Sequence, residues 1–157
     1  MIPPACDLDR IMAVMACAFD PTYGEAWTRR QVEDALLTGH CHYILIDEHG
    51  REPEDGAPAA GFSLLRTTFD EEELLLFAVD PAWRRRGLGL AMLRRMGESA
   101  ARRGIRRVLL EMRRGNPAES LYASFGFQPV GTRREYYRTT NGERIDAITF
   151  ACEVPQI

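Results

Sequence analysis

At 157 residues, 45% hydrophobic and 27% charged, the chain has the size and composition of one soluble globular domain, 1–157, able to bury its own core. No apolar run approaches the ~20 residues that span a bilayer. The start MIPPACDLDR lacks a basic stretch followed by an apolar one, so no signal peptide is expected and the protein is read as cytoplasmic. The net charge of −3 hides an asymmetry: all twenty basic residues are arginine, eleven of them between Arg84 and Arg114, whereas sixteen of the twenty-three acids lie in residues 1–80.

Met1 to Ala5 leave little room for a strand before the first helix. Asp7 to Phe19 is that helix, with Leu8, Ile11, Met12, Met15 and Phe19 on one side and Asp7 as its cap. Pro21 to Gly24 form a turn. Thr28 to Leu37 is a second helix, capped by Thr28 and ended by Gly39. His42 to Asp47 is a strand. Glu48 to Pro58 (EHGREPEDGAP) holds two glycines and two prolines and is expected to be a mobile loop. Ala59 to Phe69 is the next strand. Asp70 to Glu73 is an acidic turn, either solvated charge at a hairpin or an attraction for a basic peptide.

Leu74 to Val79 is a continuous apolar run, long enough for a strand buried on both faces. Asp80 and Pro81 stop it, because proline cannot donate to a ladder. From Leu88 the residues Leu88, Met92, Leu93 and Met96 recur at helical spacing, and Gly104 ends that helix. A strand follows at Arg107 to Met112, then a short helix from Asn116 to Phe125 closed by Gly126. Gln128 to Tyr137 and Arg144 to Glu153 are two strands joined at Thr140-Asn141-Gly142. This order fits an α/β (α+β) fold, a mixed sheet with helices on both faces.

Between the strand at 74–79 and the following helix stand Arg84, Arg85, Arg86, Gly87, Leu88, Gly89 and Leu90. The first turn of a helix offers unpaired N–H groups and a partial positive charge. Gly87 and Gly89 remove side chains that would keep a phosphate from the backbone, and the arginines add full charges. Neither the Walker nor the Rossmann spacing is present. The cysteines Cys6, Cys17, Cys41 and Cys152 show no Cys-x-x-Cys spacing, and His40 and His42 have no further cluster, so free thiols and no metal are expected. Four of the arginines (Arg94, Arg95, Arg102, Arg103) fall on a helix as a solvated face, and a phosphate-rich cofactor accounts for the loop arginines without nucleic acid.

Arg84-x-x-Gly87-x-Gly89 after an apolar strand resembles the acetyl-CoA loop of the GNAT acyltransferase superfamily. AVDPAWRRRGLG, LLEMRRGN, LYASFGF and TRREYYRTTNGERIDAITF resemble its RimI type, which acetylates the N-terminal alanine of a ribosomal protein. The resemblance covers Leu74 to Cys152. It implies a mostly antiparallel sheet, acetyl-CoA as cosubstrate, a peptide N-terminus as partner, and no membrane. It also implies that Phe77, Ala78 and Val79 pair through their backbone with the cofactor, that Asn116 contacts the pantetheine arm, and that Trp27, Tyr136 and Tyr137 shape the acceptor site.

Two residues carry the implied chemistry. Glu111 stands inside the apolar run Val108 to Met112, where burial would raise its pKa toward that of a general base. In the RimI type the Glu of the matching Leu-Glu-x-Arg stretch is that base. Tyr122 matches the tyrosine that gives a proton to the departing thiolate, at modest cost to a thiolate of pKa ~8.5. The family spaces Asn-x-x-Ala-x-x-Leu-Tyr; here Asn116 to Tyr122 is one residue shorter, so the helix start is rebuilt, with Pro117 suited to its first turn. Two other readings stand beside this one: a GNAT enzyme acting on a small amine, amino acid or antibiotic, and a non-catalytic nucleotide or nucleic-acid binder, in which Glu111 and Tyr122 have no task.

Overall fold

The structure, a computed structural model, describes residues 6–155; Met1 to Ala5 lie outside them. In chain order the elements are α1 (Asp7–Ala18), a 3₁₀ turn (Pro21–Tyr23), α2 (Arg29–Leu37), β1 (Cys41–Ile46), β2 (Gly61–Thr68) and β3 (Glu71–Val79). A second 3₁₀ turn (Pro81–Trp83), α3 (Leu88–Arg102), β4 (Arg107–Arg113), α4 (Glu119–Phe125), β5 (Gln128–Arg138) and β6 (Arg144–Glu153) complete them. The strands form one sheet in the order β1-β2-β3-β4-β6-β5. Every neighbouring pair is antiparallel except β3 and β4, which are parallel and joined through α3.

The core lies on both sides of the sheet. Ile11, Val14 and Met15 of α1 and Val32 of α2 pack with Phe62, Leu64, Leu76 and Ala78. On the other side Leu93, Met96 and Ala100 of α3 and Tyr122 of α4 pack with Leu65, Leu74, Val108, Leu110 and Phe150. Thr28 caps α2 as its composition suggests, in a capping box with Gln31. Asp7 does not cap α1. Cys6 precedes the helix without a side-chain cap, and the Asp7 carboxylate instead accepts from Arg10 and from the Tyr43 hydroxyl.

One irregularity in β3 sets the shape of the molecule. Leu64 pairs with Leu76 and Leu65 with Leu74, so Leu75 is an extra residue, a β-bulge. The bulge moves Leu74 and Leu76 to opposite sides of the sheet, which a regular strand would not do. It also marks where β3 leaves β4. The two pair from Glu71/Arg107 to Leu74/Leu110 and no further.

Two polar segments differ from their sequence-based expectation. The 48–58 loop is fastened rather than mobile. Arg10, only 8% exposed, donates to the carbonyls of Glu54 and Ala57 at 2.7 and 2.8 Å, and Arg95 donates to that of Gly50 at 2.9 Å. The acidic stretch is mostly strand, and its charges are paired. Glu71 meets Arg107 at 2.7 Å, Glu72 meets Arg103 at 2.8 Å, Glu73 meets Arg66, and Asp70 faces Arg106 at 3.7 Å. These acids stand at the closed end of the β3–β4 pair, each beside an arginine.

Glu72 is fully buried and depends on Arg103, with Thr67 donating a further hydrogen bond at 2.9 Å. Removing one partner of a buried pair leaves an uncompensated charge, at ~3–5 kcal/mol when both are buried. Because the Arg103 side chain is 36% exposed, Arg103→Met should lower the unfolding free energy by less, about 2 kcal/mol. The solvent-side Arg102→Met should change it by less than about 0.5 kcal/mol. Urea denaturation of the two variants checks both values.

Candidate functional site

Where β3 and β4 part, each keeps a partner on one side only. Leu76 to Val79 pair with β2 and Glu111 to Arg113 with β6, while the edges that face each other carry no ladder. Unpaired backbone groups in such a place call for a ligand that can hydrogen-bond along a strand. A cavity of about 330 Å³ opens there. It is lined by Leu74 to Phe77 of β3, Leu110 to Met112 of β4, Glu25 and Trp27 from the segment between α1 and α2, and Asn116, Tyr122 and Tyr137. A larger cavity of about 790 Å³ lies between the far ends of α3, α4 and β6, lined largely by Met96, Phe125, Phe127, Val130 and Val154, and it holds neither Glu111 nor Tyr122.

Glu111 reaches the cavity, but not in the apolar setting that its neighbours in sequence suggest. Its side chain is 23% exposed, it lies 3.4 Å from the guanidinium of Arg133, and Thr149 donates to it at 3.4 Å. The strand alternates, so Leu110 and Met112 enter the core while Glu111 faces the opposite way. Its carboxylate is partnered rather than desolvated. Tyr122 is buried, with edge-on ring contacts to Phe77 and Phe127 at 5.6 and 5.7 Å. Burial, with a smaller contribution from Glu25, pushes its phenol well above the ordinary value.

Of the proposed acceptor residues, Trp27 and Tyr137 line the cavity. Burial first, then Glu111 and Glu25, raise the Tyr137 phenol to about 12. Tyr136 does not line it: it is 52% exposed and stands edge-on to Tyr137 beneath Arg133. The cause is a second bulge. Between the pairs Arg133/Ala147 and Tyr137/Ile145, three residues of β5 face the single residue Asp146 of β6. Glu135 there takes a positive φ of 52°, and its N–H donates to the Asp146 carboxylate at 2.9 Å.

Asn116 also lines the cavity, and its side-chain oxygen accepts from the Ala118 N–H at 2.9 Å. This is how the shortened segment is rebuilt: α4 begins only at Glu119, and Pro117 lies in the turn before it rather than in its first turn.

Ala78 and Val79 lead from the cavity to the arginine loop. The first backbone bond of α3 runs from the Ala91 N–H to the Gly87 carbonyl at 3.0 Å, and no side chain caps the helix. The N–H groups of Leu88, Gly89 and Leu90 are therefore free of intrahelical partners. Gly87 has φ +74°, and a Cβ there would meet open space. Gly89 meets a packing constraint as well. A Cβ on it would come within 2.8 Å of the Leu121 side chain, so its small size lets α3 approach α4. The arginines also divide. Arg84 is tied to the carbonyls of Val79 and Ala18, and Arg86 stacks on Trp83 at 4.9 Å. A free strand edge, a helix start and a cationic loop follow one another, an arrangement that suits an elongated molecule with amides near one end and phosphates at the other.

Sequence reasoning missed Glu25 and Arg113. The Glu25 carboxyl is pushed up by burial, while the Arg113 guanidinium, 3.4 Å away, opposes that rise. Nothing in the local pattern separates Glu25 from a solvated acid. Arg113 was visible as the last residue of Leu-Glu-x-Arg, without a task.

A family profile described as acetyltransferase (GNAT) domain matches residues 38–129. The chain is 37% identical over 121 residues to a Mycobacterium tuberculosis protein named N-alpha-acetyltransferase RimI, covering 76% of this chain and 72% of that protein. It is 41% identical over 96 residues to the ribosomal protein bS18-alanine N-acetyltransferase of Escherichia coli K12, covering 60% of this chain and 64% of that protein. Among solved structures, the ribosomal-protein-S18-alanine N-acetyltransferase of Escherichia coli superposes with a TM-score of 0.80 at 29% identity, over 96% of this chain and 90% of that one.

The two loop glycines should respond differently to substitution. Gly89→Val overpacks the contact with Leu121 and should cost about 1–3 kcal/mol of stability. Gly87→Ala meets no neighbour and should cost about 1–2 kcal/mol through its left-handed backbone alone. Trimming Leu121 to alanine should recover stability for the Gly89 variant and not for the Gly87 variant, as read by thermal unfolding.

Proposed function

The chain belongs to the GNAT acetyltransferase family, and from that membership we propose that it acetylates the N-terminal α-amine of an alanine on a ribosomal protein, with acetyl-CoA as cosubstrate. The observation that carries this reading is the meeting of Glu111 and Tyr122 at one cavity, where β3 and β4 part. The acceptor comes from the relatives: the Escherichia coli protein is named for bS18-alanine acetylation.

Each part of the site then has a task. The free edge of β3 at Phe77, Ala78 and Val79 receives the amides of the pantetheine arm. The free N–H groups at the start of α3 receive the pyrophosphate, with Arg85 and Arg86 adding charge. When bound, the cosubstrate supplies the acetyl thioester. The α-ammonium enters from the side of Trp27 and Tyr137 and loses its proton to Glu111, after which the neutral amine attacks. Tyr122 holds a proton for the departing thiolate. Burial makes that proton costlier to release than an exposed phenol would, so the transfer follows thiolate formation rather than preceding it.

An α-amine has pKa ~7.7–8.0 and a lysine side chain ~10.4. Deprotonating the lysine at neutral pH costs roughly 2.5 more pKa units, or about 3.4 kcal/mol. A single carboxylate base suits the smaller task.

Three outcomes follow from this assignment. Glu111→Gln should lower turnover by ~10²–10⁴-fold and leave coenzyme A affinity, measured by calorimetry, nearly unchanged. Near-normal turnover across pH would remove Glu111 from the mechanism. Because the folded-state pKa of Tyr122 is raised, its proton-bearing form persists as pH climbs. Turnover should therefore hold its plateau up to at least pH ~10, the ordinary phenol value, and Tyr122→Phe should lower that plateau. Finally, a peptide with a free N-terminal alanine should be acetylated in strong preference to the same peptide blocked at its N-terminus and carrying one internal lysine. Equal labelling by mass spectrometry would defeat the N-terminal assignment.

A further inference from the structure

We infer that Arg113 is a positioning residue for the acceptor: it fastens the segment 20–27 to β4 and so holds Glu25 at the cavity beside Glu111. The acetyltransferase reading enters only in what the cavity receives.

Arg113 stands two residues beyond Glu111, so both side chains leave the same face of β4, opposite the core-directed Leu110 and Met112. Its side chain is only 12% exposed, and an arginine at that depth needs partners. It finds them in one short segment. The guanidinium lies 3.5 Å from the centre of the Tyr23 ring, and its Nε is 3.4 Å from the Glu25 carboxylate. Nε is buried and makes no hydrogen bond, so the attachment is stacking plus charge rather than an aligned donor–acceptor pair. A planar guanidinium can do both at once, which a lysine ammonium cannot.

Trp27 packs against the core cluster of α1, α2 and the sheet, and the segment's polar fastenings lie nearer its start. Thr140 donates its N–H to the Thr22 carbonyl at 2.9 Å, and the Asp20 carboxylate accepts from the Thr22 N–H. Both act before Gly24, where the backbone turns left-handed at φ +61°. From Glu25 to Thr28 the chain is neither helix nor strand. Yet Glu25 and Trp27 line the cavity, and Glu25 bears electrostatically on both Tyr122 and Tyr137. Arg113 is thus the link from the base-bearing strand to the acceptor wall. It gives the incoming α-ammonium two carboxylates, Glu111 from the sheet and Glu25 from the segment.

The test uses the whole chain, acetyl-CoA and a peptide beginning with alanine. Arg113→Met should raise the peptide KM about tenfold while the acetyl-CoA KM stays within about twofold. Arg113→Lys should recover part of the loss. Tyr23→Leu, which removes the stacking partner without altering β4, should move the peptide KM the same way. In a Glu25→Gln background, Arg113→Met should add little, because both changes break one link. Hydrogen–deuterium exchange gives a readout independent of turnover: amides of residues 22–27 should lose protection in Arg113→Met while those of β4 keep theirs. An inactive wild-type protein with that exchange pattern would sink the proposed function and leave the positioning role intact. Unchanged exchange in residues 22–27, an unmoved peptide KM in an active enzyme, or equal rises in both KM values would overturn the positioning role itself.

Discussion

Everything in this molecule that bears on chemistry follows from two parallel strands that stop pairing. β3 and β4 share a ladder only from Glu71/Arg107 to Leu74/Leu110. The extra residue Leu75 twists β3 as the ladder ends, and the backbone beyond it is left with one partner instead of two. A buried edge of this kind is costly unless something pairs with it, and the opening is the place where a ligand with its own amides can do so. The crossover through α3 then puts a helix N-terminus at the mouth of the opening, because the loop that starts the helix begins where β3 ends.

The two ends of the strand pair are treated oppositely by the charges around them. At the closed end, Glu71, Glu72 and Glu73 each have an arginine at close hydrogen-bonding distance, and the buried Glu72 has Thr67 as well. These contacts stitch the strands and α3 together where the ladder exists. At the open end, Glu25 and Glu111 meet their arginines at 3.4 Å rather than at close hydrogen-bonding distance. Charge there is held in place without being fully satisfied, which leaves the carboxylates available to an incoming cation.

Two phenols share this open end, and burial raises both, with Glu25 contributing to each. Carboxylates that accept and phenols that retain their protons are thereby kept distinct within one small cavity. This separation is what a reaction that takes a proton from one partner and returns one to another requires.

Local chemistry in the chain was enough for much of the fold. The strand at Arg107 to Met112, the cap at Thr28, the stop at Asp80-Pro81 and the helical spacing from Leu88 are each decided within a few residues, so each element stands near where its pattern places it. The family was legible for the same reason, since the loop after β3 is a contiguous motif. Site features that depend on residues distant in sequence were not legible. Whether Glu111 is desolvated depends on Thr149 and Arg133, and the room left for a side chain at Gly89 depends on Leu121. The bulge opposite Asp146 separates Tyr136 from Tyr137, and Glu25 acquires its place from Arg113, 88 positions further along the chain. Periodicity reports which way a side chain leaves its own strand; only tertiary packing decides what meets it there.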